Sequence, residues 1–102
     1  MKMLNIGKST ENGKAILSLD GRLDTVTAPD FDKTVREVIT GITELKLDCE
    51  KLEYISSAGL RVLLAAQKIM NTQGIMKVCN VNETVEEIFD ITGFSEILTI
   101  VK

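Results

Sequence analysis

The chain has 102 residues, 44% of them apolar, with 12 Lys and Arg against 15 Asp and Glu for a net charge of −3, and it contains no His. A chain of this size buries roughly two-thirds of its unfolded surface, so 1–102 is expected to form one domain with a real core rather than a disordered segment. The missing His removes Ser-His-Asp and Cys-His nucleophile activation, histidine metal sites and histidine proton switching; mild acidity without a Lys/Arg cluster disfavours nucleic acid as a partner.

Met3, Leu4 and Ile6 predict a first strand. No apolar signal segment occupies 1–10, and no run approaches the ~18 apolar residues of a membrane helix, so a cytoplasmic protein without membrane insertion is expected. Asn12-Gly13 marks a hairpin turn, because both residues tolerate positive φ. Ala15, Leu17 and Leu19 then alternate with Ile16 and Ser18 in a second strand, and Gly21 to Thr25 is expected to leave it as a loop. Thr27 or its neighbour would cap a first helix, with Pro29 in its first turn, where a missing N–H costs little. Phe31, Val35, Val38 and Ile39 form one face of that helix, and Gly41 ends it.

Leu45, Leu47 and Cys49 alternate with Lys46 and Asp48, the pattern of a strand covered well on one side only. Ser56-Ser57-Ala58-Gly59 follows, and then a helix over about 58–72 buries Leu60, Leu63, Leu64 and Gln67 and ends at Gly74. Met76, Val78 and Asn80 make a short strand, and Asn82 is an N-cap candidate for a third helix. Glu83, Glu86 and Glu87 suit the positive end of that helix, Val85, Ile88 and Phe89 give its inner face, and Gly93 stops it. A last strand is expected over 97–101. The order predicts an α/β fold: a mainly parallel sheet with an antiparallel edge strand from the N-terminal hairpin, right-handed crossovers, and helices chiefly on one face. Cys49 and Cys79, at predicted strand ends, read as reduced core thiols.

Ser56 and Ser57 stand where the middle strand meets its helix. A helix mouth exposes unpaired N–H groups and partial positive charge. A serine there can simply cap the helix, contributing about 1 kcal/mol. Capping needs one hydroxyl, however, and the small residues Ala58 and Gly59 leave the mouth open to another protein's active site. A phosphate on such a hydroxyl adds about −1.5 to −2 charges, compatible with the fold yet disruptive to a docking surface. Asp24 is the second candidate: either a solvated turn acid, or a loop acid at the same sheet edge that orders the serine loop or contacts a partner. No phosphate-binding glycine motif occurs, and Gly59 is a lone glycine. An enzyme using Ser57 as nucleophile would need a base; Lys51 and Arg61 are nearby in sequence, but Arg cannot act as one.

With these residues identified, the chain resembles the anti-sigma factor antagonist family, whose domain is called STAS. The resemblance spans nearly the whole length through Gly21-Arg22-Leu23-Asp24, Leu47-Asp48-Cys49 leading to Tyr54-Ile55-Ser56-Ser57-Ala58-Gly59-Leu60, and Phe89-Asp90-Ile91-Thr92-Gly93-Phe94. Anchored on Gly59-Leu60, the family's phosphorylated serine falls on Ser57, with Ser56 as second choice. The Asp that precedes the acceptor is here Ser56, and the hydroxyl residue that follows it is here Ala58. The family's acidic loop residue falls on Asp24.

The resemblance implies a non-enzymatic partner switch at a surface made by Asp24, Ser56, Ser57, Ala58, Gly59 and Arg61. The unmodified protein binds an anti-sigma factor that is also a serine kinase, which frees the sigma factor and so regulates transcription indirectly. Phosphorylation releases the antagonist and a serine phosphatase restores it. ATP and Mg²⁺ belong to the kinase; this chain is expected to hold no cofactor or metal. The alternative keeps the fold without the switch, as a non-phosphorylated STAS adaptor or scaffold subunit in a signalling or lipid-transport complex.

Overall fold

The structure, a computed structural model, describes residues 3–101; Met1, Lys2 and Lys102 lie outside the described residues. Strands β1 (Leu4–Glu11) and β2 (Lys14–Leu23) form the expected antiparallel hairpin. Asn12 and Gly13 turn it with φ of 51° and 79°, the double positive φ that matches strand twist in a two-residue turn. Helix α1 (Ala28–Ile39), β3 (Glu44–Ile55), α2 (Ser57–Asn71), β4 (Ile75–Cys79), α3 (Glu83–Thr92) and β5 (Ile100–Val101) follow. The sheet order is β1-β2-β3-β4-β5, and every pair after the first is parallel.

Each parallel step moves one strand in the same direction through a helix, so right-handed crossovers put all three helices on one face. The side chains agree. Ala15, Leu17, Leu19, Leu45, Leu47, Met76 and Val78 join one core with Phe31, Val35, Leu60, Leu63, Val85 and Phe89. Their strand neighbours Lys14, Ile16, Ser18 and Asp20 stay exposed on the open face.

Several local expectations are corrected. The stretch from Gly21 is strand rather than loop as far as Leu23, because Gly21 at φ 120° lets the ladder bulge and continue while passing the Met3 carbonyl, which a Cβ would meet at 2.1 Å. Cys49 lies inside β3, not at its end, since that strand runs on to Ile55. Asn80 lies beyond β4 at φ 60° and donates its Nδ2 to Asp48 at 3.0 Å. Leu64 and Ile88 are only half-buried; Ala66 and Met70 complete the inner face of α2 instead.

The last strand shrinks to two residues. The 3-10 turn at Phe94–Glu96 draws the start of the expected 97–101 strand back onto itself, with the Ile97 and Leu98 amides on the Phe94 carbonyl at 3.0 and 2.9 Å. Asn82 caps α3 as expected, accepting the Val85 amide at 2.8 Å, and Gly93 ends it at φ 81°. Its Nδ2 also donates to the Leu52 carbonyl at 2.9 Å, fastening the start of α3 to β3. Both cysteines are free and buried.

Candidate functional site

The mouth of α2 divides two roles between two adjacent serines. Ser56 is the N-cap, in extended conformation at φ −96° and ψ 175°, and its Oγ accepts the Gly59 amide at 3.4 Å. Its carbonyl accepts the Leu60 amide at 2.9 Å, the first helical bond. Ser57 is the first residue inside the helix and is exposed. Among the described residues its hydroxyl has no hydrogen-bond partner, because the capping is done by its neighbour. The first turn carries no acidic residue, so nothing on it offsets the positive end of the helix dipole.

Gly59 does not face outward. It is buried, and a Cβ there would lie 2.6 Å from Leu23 Cγ and 2.9 Å from Ile55 Cγ1. Its place in the expected partner surface is therefore corrected to one beneath it: Gly59 is buried and lets Leu23 and Ile55 come close. The Ser56 amide donates to the Leu23 carbonyl at 2.8 Å, which binds the end of β2 to the serine corner. Asp24, the next residue, is thereby brought to the same edge of the sheet.

Asp24 is a turn builder. Its Oδ1 accepts the Val26 amide at 3.0 Å and the Thr27 amide at 3.1 Å and lies 3.3 Å from the Thr27 hydroxyl, and its carbonyl accepts the Ala28 amide at 2.8 Å. The Thr27 amide is the main reason its carboxyl sits below the usual carboxylate range; partial desolvation opposes this, and the Val26 amide, the Thr27 hydroxyl and the Arg22 charge add to it. Thr27 precedes α1 but does not cap it with its side chain. Its hydroxyl donates to the Arg22 carbonyl at 2.8 Å and accepts the Asp24 amide at 2.9 Å. Arg22 in turn lies over the Tyr54 ring, 4.5 Å from its centroid, with Nε 3.8 Å from Asp24 Oδ2.

Between the first turns of α1 and α2 runs an open groove lined by Thr25, Ala28, Pro29, Asp32, Ala58, Arg61 and Val62. Val26 stands beside it in the chain at 70% exposure, an apolar side chain offered to solvent. Ala58 and Arg61, both named above for the partner surface, line this groove. Val26 and Val62 were not anticipated; the single sequence signal was a β-branched apolar residue within a turn. Lys51 is not brought to Ser57. It pairs in register with Asp20 and lines the open sheet face with Asp48 and Glu50. Among the described residues no group of three or more His, Cys, Asp and Glu could hold a metal, and no helix is long and apolar enough to cross a membrane.

Comparison with known proteins places this geometry among relatives. The STAS domain family profile matches residues 5–102. BtrV of Bordetella bronchiseptica, assigned as an anti-sigma factor antagonist, is 35% identical over 91 residues, covering 87% of this chain and 78% of that protein. The crystal structure of an anti-sigma factor antagonist from Mycobacterium paratuberculosis superposes with a TM-score of 0.87 at 20% identity, over 95% of this chain and 84% of that one. The unphosphorylated form of the anti-sigma factor antagonist SpoIIAA gives 0.81 at 17% identity, over 96% and 89%. The phosphorylated form of Bacillus SpoIIAA gives 0.74 at 16% identity, over 96% and 92%. At these identities the structural likeness concerns the fold.

Proposed function

The chain belongs to the STAS domain family of anti-sigma factor antagonists, and from that premise we propose that it binds an anti-sigma factor which is also a serine kinase, and that phosphorylation of Ser57 ends the binding. The observation that carries this reading is the exposed Ser57 hydroxyl, without a hydrogen-bond partner among the described residues at a helix mouth that Ser56 already caps. That hydroxyl can enter a kinase active site without unmaking the helix. The groove beside it supplies Ala58, Val62 and Pro29 as apolar contacts and Arg61 as a charged one. A phosphate placed in such an interface adds about −1.5 to −2 charges, and an unpaired buried charge costs several kcal/mol.

The kinase supplies ATP and Mg²⁺, a serine phosphatase resets Ser57, and transcription responds through the sigma factor that the exchange liberates. The chain itself performs no chemistry, and the cytoplasm is the compartment in which these partners meet. SpoIIAA, which shares the fold, exists in unphosphorylated and phosphorylated forms, and this supports the reading.

Equilibrium binding to the anti-sigma factor kinase of the same bacterium tests it. Ser57→Ala is expected to bind like wild type and take no phosphate, while Ser57→Asp is expected to lose binding by at least tenfold. Equal affinity of Ser57→Asp and wild type would refute charge ejection. A second reading, a non-phosphorylated adaptor, draws on the serine at 56 and the alanine at 58 where the family pattern has an Asp and a second hydroxyl residue. Intact mass of the protein from cells in several growth conditions separates the two, since an adaptor stays unmodified in all of them.

A further inference from the structure

We infer that Leu23 and Gly59 act as wedge and notch, holding the Asp24 turn and the Ser57 helix mouth as one rigid surface. That this surface is the one used for docking rests on the function proposed above; the coupling itself rests on geometry alone. Leu23 is fully buried and ends β2. Its side chain lies against the Gly59 α-carbon so closely that a Cβ would meet Leu23 Cγ at 2.6 Å and Cδ2 at 3.0 Å. Only a residue without Cβ leaves room for that seat. The Leu23 carbonyl meanwhile accepts the Ser56 amide at 2.8 Å, so the wedge is tied to the corner it fills.

The other side of the wedge is equally constrained. The Thr27 hydroxyl spans Leu23, donating to the Arg22 carbonyl at 2.8 Å and accepting the Asp24 amide at 2.9 Å. Asp24 then holds the Val26 and Thr27 amides. Any shift of Leu23 must stretch one of these bonds. Helix α2 cannot retreat instead, because Leu60 and Leu63 on the same helix are locked in the core. The rigid body therefore includes Asp24, Val26 and Ser57, the groups that the proposed surface must present together. Leu23 and Gly59 are positioning residues that touch no partner.

Amide exchange followed by NMR on the isolated chain tests this without any partner. In Gly59→Ala, exchange at the Asp24, Val26 and Thr27 amides is expected to rise about tenfold relative to core amides such as Leu45 and Leu47. Leu23→Ala removes the wedge and leaves the added methyl of Leu23→Ala/Gly59→Ala only the Ile55 Cγ1 contact at 2.9 Å, so the two effects should add to less than their sum. Unchanged turn amides in Gly59→Ala, loosening shared equally with the core, or additive effects in the double variant would each overturn the coupling. If Gly59→Ala does not fold, Leu23→Ala alone supplies the test: faster exchange at the Asp24, Val26 and Thr27 amides relative to Leu45 and Leu47 supports the wedge, and turn amides unchanged relative to that core refute it. Absence of phosphate on Ser57 would leave this result standing, so the two proposals fail separately.

Discussion

Ser56 accepts the Gly59 amide on its hydroxyl at 3.4 Å, so the cap of α2 belongs to the residue before the exposed serine. The bond is at the long end of its range, so truncation should fall at the low end of cap losses. Ser56→Ala is expected to lower stability by about 0.5–1 kcal/mol in urea unfolding. Ser57→Ala should stay within about 0.5 kcal/mol of wild type, as surface substitutions do. The reverse order would put the cap on Ser57 and take away its freedom to be modified.

The Asp24 turn should respond to acid at a low pH. Its carboxyl is held below the usual carboxylate range chiefly by the Thr27 amide. The ionised group therefore favours the folded turn above the unfolded pKa, and that contribution is lost only as pH falls through the lowered folded value. NMR shifts of the Val26 and Thr27 amides should stay constant from neutral pH through the ordinary carboxylate range and move below it. Asp24→Asn, which keeps one acceptor oxygen, should abolish that titration. Movement at or above the ordinary range would show that the turn does not hold the charge.

Much of this was legible in the sequence, for local reasons. Asn12-Gly13, the cap of Asn82, the stop at Gly93 and the inner face of α1 each depend on residues within one or two turns of each other. Ser57 at the helix mouth was legible for the same reason. What failed depended on distant backbone. The continuation of β2 to Leu23 comes from its ladder with β3, and Gly21 is glycine because Met3 passes close by. Thr27 abandons capping for Arg22 and Asp24, and Gly59 is buried against Leu23 rather than exposed. In none of these does the residue's type reveal its neighbour.

Two glycines separate steric from conformational demands. A Cβ at Gly74 would lie 1.8 Å from the Thr43 carbonyl oxygen, which also accepts the Ile75 amide at 3.0 Å and so cannot move away freely. Gly41 has φ 78° but nothing within 4 Å of its added Cβ. Gly41→Ala should therefore cost about 1–2 kcal/mol, the left-handed penalty alone. Gly74→Ala should cost roughly 3 kcal/mol or more, among the large single-residue effects. Urea midpoints of the two variants check the order, and similar losses would contradict the close approach at Gly74.

The thiols should be inert while the chain is folded. Burial, with the Asp48 charge and Cys79 beside it, pushes the Cys49 thiol up to about 12, and Cys79 is buried as well. Since the thiolate is the reactive form, an aromatic disulfide reagent at pH 8 should label the native chain only at the rate of opening. Both thiols should react at once in concentrated urea. Rapid labelling of the native chain would show a core more open than this one.

Site-resolved mass spectrometry of the chain, purified from growing cells with phosphatases inhibited, tests most directly whether the exposed hydroxyl is the switch. A single phosphate on Ser57 is expected, with Ser56 unmodified. Phosphate on Ser56, or none in any condition that changes activity of the sigma factor, would contradict it.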